Sequence, residues 1–302
     1  HMSWRNLQWI TLADNIGFVS TRHMTLPILV ELDDRRIALF WSTRDRENRS
    51  YIFGANATLD SGLLEIDWKS VYLALAPGDD GTFDCDGVSC SDVRLDQAGN
   101  LELFYFGWQR LPSSHWLNGI GVAKGPIGSR LTRMSAGPLL ARDMLDQYSV
   151  AYPFISRFNE KEMLYSSYTR FADPRTTTSF NYVVKKAEIE LSSERLENRI
   201  ELNIEEVNGS SAYSRPTVFS YGEKEVLLCS VRGSHYKIRG WIQKSARWVR
   251  APYLDGNSLR GPMSQDATCY QFPFVSDGNC FILYNGDRSE EHTSELQSLA
   301  YL

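Results

Sequence analysis

The sequence predicts an all-β protein folded as a five-bladed β-propeller with a central funnel. One pattern recurs five times along the chain, with its aromatic or cysteine anchor repeating at a spacing of about 60 residues. Each copy contains two runs of alternating apolar and polar residues joined by a polar turn, which is typical of a β-hairpin. Stretches of helical composition are short. Because one hairpin cannot bury both of its faces, the copies are expected to stack radially around one axis.

The five copies share a common order of residues. Each starts with proline or a small residue and a few apolar residues, continues through a turn, and ends in an alternating run that closes with a small or aromatic residue. They are PILVELDDRRIALFWS from Pro27, SDVRLDQAGNLELFYF from Ser91, PFISRFNEKEMLYS from Pro153, PTVFSYGEKEVLLCS from Pro216 and PFVSDGNCFILYN from Pro273. A further β-rich run follows each of the first four hairpins, so each blade is predicted to have three to four strands.

The two ends of the chain carry separate expectations. Residues 3–287 are predicted to form one propeller domain, whose segment from Trp4 to Leu12 pairs with the last blade and closes the ring. The string RSEEHTSELQS, residues 288–298, matches the translation of a common short-read sequencing adapter. We therefore expect 288–302 to be a non-native tail, outside any site, and the fifth blade to lack a strand or to recruit tail residues.

Composition narrows the class of protein. The 302 residues include 32 Lys and Arg against 37 Asp and Glu, a net charge of -5, with no basic stripe, so a nucleic-acid partner is not expected. No apolar run approaches the roughly 18 residues of a membrane span. No signal peptide is apparent, which predicts a cytoplasmic location and five reduced thiols. The cysteine spacing fits no zinc site, and neither a metal nor a cofactor is expected.

Candidate site residues come from the loops that lead into the innermost strands, since these loops meet at one rim of a propeller. The candidate catalytic residues are Asp45, Asp84, Asp86 and Asp266. The candidate substrate-binding residues are His23, Arg44, Trp108, Tyr152, Arg215, Arg232 and Tyr270. If Asp84 and Asp86 lie on one strand, they share a face and their pKa values split, which leaves one able to act as a general acid. Each assignment has a structural alternative. The Asp-x-Asp-Gly stretch can form a turn, the aromatic rings can pack between strands, and the arginines can join neighbouring blades.

A set of motifs, in order, carries a resemblance to a known family. They are WSTRD with RSYI from Trp41, GTFDCDGV from Gly81, LFYFGW with GIGVA from Leu103, SRPTV with SVRG from Ser214, and FPFV with LYNGD from Phe272. Together they resemble the five-bladed propeller glycosidase superfamily of arabinanases, xylosidases, invertases and mannoside phosphorylases. The sequence is most similar to a branch found among bacterial surface-glycan gene clusters. The resemblance implies a sugar in the central funnel and acidic residues contributed by different blades.

The sequence departs from the family's carboxylate pattern. Members of glycoside hydrolase family 43 begin their first blade with an aspartate base and supply a glutamate acid from a later blade. Here the first blade is preceded by His23, and the third by Tyr148 and Ser149. Two classes of function therefore stay open: a glycosidase-like enzyme, whether hydrolase, transferase or phosphorylase, and a non-catalytic glycan-binding propeller. In both, the partner is a small-molecule or oligosaccharide substrate.

Overall fold

The protein is built almost entirely of β-strands. The structure is a computed structural model, and it describes residues 3–11, 24–33, 35–60, 62–112, 114–170, 181–210, 212–259, 267–286 and 296–301. Within these ranges the only helical segments are single 3₁₀ turns at Trp68–Ser70, Leu191–Ser193, Pro252–Leu254 and Gly256–Ser258. No helix of this part of the chain is long and apolar enough to cross a membrane.

The strands form five consecutive blades, and a single parallel pairing of Ser50 with Gly87 joins the sheets of blades 1 and 2. In chain order they are β1 (Arg5–Thr11), β2 (Thr25–Glu31), β3 (Arg36–Arg44), β4 (Ser50–Asp60), β5 (Leu63–Ile66), β6 (Tyr72–Leu75), β7 (Gly87–Leu95), β8 (Leu101–Leu111), β9 (Ser114–Gly125), β10 (Thr132–Arg133), β11 (Val150–Ile155), β12 (Glu162–Arg170), β13 (Asn181–Glu190), β14 (Arg195–Glu201), β15 (Tyr213–Tyr221), β16 (Lys224–Arg232), β17 (Tyr236–Lys244), β18 (Arg247–Arg250), β19 (Cys269–Ser276), β20 (Asn279–Asn285) and β21 (Leu296–Tyr301). Blade 1 is β2–β6, blade 2 is β7–β10, blade 3 is β11–β14 and blade 4 is β15–β18. This arrangement confirms the predicted five-bladed propeller.

Blade 5 combines both ends of the chain. Its strands follow the order β19, β20, β21 and β1, and β1 pairs antiparallel with β21. The expectation that the N-terminal segment pairs with the last blade is therefore confirmed. Trp4, just before β1, donates from its indole to the carbonyl oxygen of Leu254 over 2.7 Å and fixes this segment against blade 4. The third strand comes from residues 296–301, inside the segment predicted to be non-native, so the fifth blade recruits tail residues; their origin stays a prediction.

A β-bulge recurs near the start of each innermost strand. The residue inside the bulge has φ between 55° and 57° in four blades: Leu26, Tyr152, Arg215 and Tyr270. In blade 2 the register shifts at Ser91, which aligns with the proline that follows this residue in blades 1, 3 and 4. Positive φ is unfavourable for residues with a Cβ, so its repetition marks a constraint of the fold. A bulge is also where a strand tolerates proline, and proline follows this residue in three of the blades.

A polar side chain on the second strand joins neighbouring blades. Ser42, Ser230 and Asn285, from blades 1, 4 and 5, each accept a hydrogen bond from a backbone N–H on the innermost strand of the next blade. The donors are Cys90 at 3.0 Å, Tyr270 at 2.9 Å and Leu26 at 3.1 Å. These acceptors are the small polar residues that close the sequence repeats. Blade 2 has Phe106 at this position, and its ring packs instead on Tyr152 with centroids 4.7 Å apart.

Candidate functional site

The candidate site lies at the rim from which the innermost strands start. Thr25 pairs with Ser42, and Arg44 pairs with Ser50, so the β3–β4 turn lies at the same end of blade 1 as the start of β2. The same topology places residues 45–49, 76–86, 140–149, 203–212 and 233–235 at one end of the propeller. We call these segments the entrance rim. Of the predicted site residues, His23 and Asp266 lie outside the described residues.

Asp84 is held inside the protein by three neighbours. Its carboxylate accepts from Arg133 Nε at 2.8 Å, from the Tyr105 hydroxyl at 3.0 Å and from Thr82 Oγ1 at 2.9 Å, and its side chain is fully buried. Burial, and then the nearby negative charge of Asp84, raise the pKa of Tyr105 well above its usual range, so the phenol stays a donor. The carboxylate thus forms an ion pair that joins the turn before β7 to Arg133 of β10.

The expectation that Asp84 and Asp86 share a strand face is wrong. Strand β7 begins only at Gly87, and residues 79–86 form successive turns, because Asp-x-Asp-Gly is good turn chemistry. Asp86 lies at the entrance rim with its side chain 26% exposed and accepts from the backbone N–H of Arg110 at 2.7 Å. It is therefore a carboxylate that a ligand at the rim can reach, whereas Asp84 is enclosed.

Asp45 organises the β3–β4 turn. Its carboxylate accepts from the backbone N–H of Arg49 at 2.8 Å, from Arg49 Nε at 3.0 Å and from the Tyr51 hydroxyl at 3.2 Å. Burial raises the pKa of Asp45, but the hydrogen bonds from Arg49 and Tyr51 outweigh it and hold the pKa below its ordinary value. Arg44 donates to Asn48 Oδ1 at 3.0 Å within the same turn. Both predicted site residues thus shape the rim of blade 1.

Two further predicted binding residues lie between blades. Trp108 is only 8% exposed, donates to Ser50 Oγ at 3.2 Å, and packs so closely on Gly87 that a Cβ there would fall 2.3 Å from the indole. It fills the seam between blades 1 and 2. Arg232, half-buried in blade 4, donates to Asn181 Oδ1 of blade 3 at 3.1 Å.

Three predicted binding residues meet at the propeller axis. The rings of Tyr152 in blade 3 and Tyr270 in blade 5 are stacked with centroids 6.1 Å apart. Arg215 of blade 4 is fully buried, and its Nη1 donates to Ser91 Oγ of blade 2 at 2.6 Å. Its Nε and Nη2 have no hydrogen-bond partner. Each of the three occupies the bulge position of its own innermost strand, which is why the side chains converge.

A row of tyrosines at the rim was not among the predicted site residues. The rings of Tyr168 and Tyr182 in blade 3 lie 4.6 Å apart, and the hydroxyls of Tyr182 and Tyr236 join blades 3 and 4 over 3.0 Å. Asn118 of blade 2 extends the row by donating to the Tyr168 hydroxyl at 3.2 Å. We call Tyr168, Tyr182 and Tyr236 the tyrosine row. The signal in the sequence was that Tyr182 and Tyr236 open the runs that follow the third and fourth hairpins.

Other buried carboxylates of the propeller are each paired with an arginine. Those of Asp92, Asp146 and Asp255 pair respectively with Arg157 at 2.6 Å, Arg199 at 2.7 Å and Arg250 at 2.7 Å. No group of three or more His, Cys, Asp or Glu in the described ranges could hold a metal ion.

Comparisons with known proteins agree with this architecture. No protein-family model matches the sequence. Two curated proteins of Mycobacterium tuberculosis, named "Uncharacterized protein Rv1502" and "Uncharacterized protein MT1551", are each 28% identical over 293 residues, which cover 95% of both chains. An α-L-arabinofuranosidase from Podospora anserina, solved with cellotriose, superposes with a TM-score of 0.65 at 12% identity and covers 100% of this chain and 97% of that one.

Two further structures extend the likeness. An α-L-arabinofuranosidase from Lactobacillus brevis gives a TM-score of 0.65 at 10% identity, with 94% of this chain and 92% of that chain covered. A Bombyx mori GH32 β-fructofuranosidase mutant solved with sucrose gives 0.61 at 12% identity; the match covers 91% of this chain but 59% of that one, so the chain spans less than two thirds of that enzyme. At these identities the likeness shows the fold, which is the five-bladed propeller of family 43 and family 32 glycosidases.

Proposed function

We propose that the protein is carbohydrate-active and holds a glycan or sugar conjugate at the entrance rim. The observation that carries this proposal is the tyrosine row, which spans blades 3 and 4 and contacts Asn118 of blade 2. Tyr168 and Tyr182 are each only 5% exposed and support the half-buried Tyr236, whose ring can meet the C–H face of a sugar while its hydroxyl exchanges hydrogen bonds with the sugar's hydroxyls. Polar and aromatic side chains from three blades at one rim suit such a ligand.

Asn118, beside the tyrosine row, has a buried acceptor atom without a hydrogen-bond partner. Its backbone N–H donates to Ser149 Oγ at 2.9 Å and its Nδ2 donates to Tyr168, but its buried Oδ1 has no partner. A buried polar atom without a partner costs free energy, and a ligand hydroxyl that donates to it removes that cost. The half-buried rings of Trp116 and Tyr148 pack against the same apolar cluster and widen the aromatic surface.

A glycosidase-like enzyme is the first class of activity that this site fits. Asp86 supports it, because its carboxylate is partly exposed at the rim and is positioned by the backbone of Arg110. Hydrolysis needs a second carboxyl group, separated from the first by about 6.5–9.5 Å in inverting enzymes. Transfer of a glycosyl group to another acceptor on the same scaffold has similar requirements.

A non-catalytic glycan-binding propeller is the second class. It is supported by the pairing of Asp84, Asp146 and Asp255 with arginines, which leaves the rim rich in tyrosine and poor in available carboxylates. Asp45 is likewise occupied by its own turn.

A glycan array followed by an activity assay tests the proposal. We expect wild-type protein to bind a defined subset of glycans on the array; no binding to any glycan would contradict carbohydrate recognition. The glycans that bind are then incubated with wild type and with Asp86→Asn. If the protein is an enzyme acting through Asp86, turnover falls at least about 100-fold in the variant, the low end of what a positioned acid or base contributes. Binding without turnover assigns the second class.

A further inference from the structure

Arg215 spans the centre of the propeller and uses only part of its guanidinium. It starts from the bulge of β15 in blade 4, and its Nη1 reaches Ser91 of blade 2 at 2.6 Å. Blades 2 and 4 are not neighbours, so this contact crosses the axis. The side chain is fully buried, yet Nε and Nη2 have no partner. Two donors on one edge of the guanidinium are therefore left without an acceptor.

The charge of Arg215 is also uncompensated. The nearest carboxylate, Asp92, is already occupied by both terminal nitrogens of Arg157, at 2.6 and 2.9 Å, and by the backbone N–H of Ile155 at 2.8 Å. Burial raises the pKa of the neighbouring Cys90 thiol to about 12, so this thiol is neutral and supplies no counter-charge. The charges of Arg157 and Asp92 cancel, so the charge of Arg215 remains as one net positive charge in the centre.

An unpaired buried cation is expensive to maintain. Desolvation lowers the pKa of Arg215, to about 10, which still leaves it charged at neutral pH. A protein that retains such a charge without an internal partner gains free energy when an anion arrives. The nearby rings of Phe272, at 6.0 Å from Cζ, and Tyr152 supply an apolar surround that strengthens an ionic contact.

The shape of the free edge indicates which anion fits. Nε–H and Nη2–H lie in the guanidinium plane and point in parallel from one of its edges. This pair of donors matches two oxygens of a carboxylate or phosphate. Arg215 lies at the entrance-rim end of its strand, beside the stacked rings of Tyr152 and Tyr270. We propose that Arg215 binds the carboxylate or phosphate of an acidic sugar at the base of the funnel. This inference rests on the proposed carbohydrate function and narrows its ligand class.

Matched sugar pairs test the proposal with the intact protein. Thermal unfolding is followed with D-glucose, D-galactose and D-mannose, each beside its uronate and its 6-phosphate, and with inorganic phosphate and chloride as plain anions. We expect at least one acidic sugar to raise the melting temperature well above both its neutral counterpart and the plain anions. Titration should then give binding about 10- to 100-fold weaker for Arg215→Gln.

Each other outcome contradicts a defined part of the account. If neutral and acidic sugars stabilise the protein equally and Arg215→Gln changes nothing, carbohydrate binding stands and the acidic-sugar assignment is wrong. If the plain anions stabilise it as strongly as any acidic sugar, the site takes an inorganic ion and the assignment is also wrong. If no sugar has an effect while the array shows glycan binding, the acidic-sugar assignment is wrong; if the array is also negative, the proposed function itself fails. Should Arg215→Gln not fold, Arg215→Lys keeps the charge but loses this pair of donors, and it should still bind acidic sugars at least about 10-fold more weakly.

Discussion

Arg215 Nη1 and Ser91 Oγ lie 2.6 Å apart although they belong to blades 4 and 2. Both lie where the register of an innermost strand shifts: Arg215 has the positive φ that it shares with Tyr152 and Tyr270, and Ser91 takes the place of the proline that follows Arg215. The rings of Tyr152 and Tyr270 stack with centroids 6.1 Å apart, so these register shifts bring a cation, two aromatic rings and a hydroxyl to the centre.

The first prediction concerns the stability of the ligand-free protein. Arg215→Met should lower the free energy of unfolding by no more than about 1 kcal/mol, because it removes one hydrogen bond to Ser91 together with a buried charge that no carboxylate of the described residues pairs with. Arg157→Met is the control, since it leaves the fully buried Asp92 carboxylate without its cation and should cost about 3 kcal/mol or more. Urea denaturation of the three proteins measures both values. An Arg215→Met loss as large as that of the control would show that Arg215 is a structural residue.

The second prediction separates the two aspartates of the Asp-x-Asp-Gly turn. Asp84→Asn removes the charge that pairs with Arg133 inside blade 2 and should destabilise the protein by about 3 kcal/mol. Asp86→Asn changes a partly exposed carboxylate and should cost less than about 1 kcal/mol. The midpoints of denaturant unfolding test the difference, provided that the slope of unfolding free energy against denaturant concentration is the same for both variants. Equal losses would contradict the buried and exposed placements of the two side chains.

The third prediction tests the hydrogen bonds between blades. Ser230→Ala removes the acceptor of the Tyr270 N–H and the donor to Gln271 Oε1, both buried, and should cost about 1–3 kcal/mol. Ser192→Ala, which alters an exposed hydroxyl on the outer part of blade 3, should be within about 0.5 kcal/mol of wild type. If the two variants unfold at the same denaturant concentration, the inter-blade bond contributes nothing measurable.

The fourth prediction concerns the thiols and alkaline pH. Burial raises the pKa of Cys90 and Cys280 to about 12 from an ordinary value of 9.0, so both stay protonated in the folded protein. Above about pH 9 these thiols ionise in the unfolded chain but not in the folded chain, so their contribution to the free energy of unfolding should be constant from about pH 7 to 9 and fall toward pH 12. A stability that rises over this range would contradict the burial of these thiols.

The same thiols can be counted with a thiol reagent at pH 8. The half-buried Cys85 should react in the native protein, whereas the buried Cys90, Cys229 and Cys280 should not. Denatured protein prepared without reductant should show five reactive thiols. A lower count would indicate a disulfide and would contradict the expected reducing, cytoplasmic location.

The repeats made the fold predictable, and the local turns made the site harder to predict. Anchors such as Trp41 and Tyr165 recur because every blade must bury the same positions of its second strand, and alternation along a strand is visible in sequence. The polar residue after the anchor, as in Ser42 and Ser230, was visible too, although its role as an acceptor from the next blade required the register between sheets.

The site depends on relationships that one sequence does not encode locally. Whether Asp84 and Asp86 lie on a strand or in a turn depends on β7 starting at Gly87, only one residue after Asp86. Arg215 was identifiable as a rim residue, but its free guanidinium edge follows from Asp92 being occupied by Arg157, a contact across 65 positions of the chain. The tyrosine row joins two blades, and only the folded ring brings its members together.

Carbohydrate binding at the entrance rim is tested most directly by one pair of tyrosine variants. Tyr236, at the start of β17, belongs to the tyrosine row, whereas Tyr221, at the end of β15, lies at the opposite end of the same blade and is also half-buried. Calorimetric titration of a glycan selected on the array should give about 10-fold or weaker binding for Tyr236→Ala, and unchanged binding for Tyr221→Ala. Full affinity in Tyr236→Ala, or an equal loss in both variants, would contradict a sugar site at this rim.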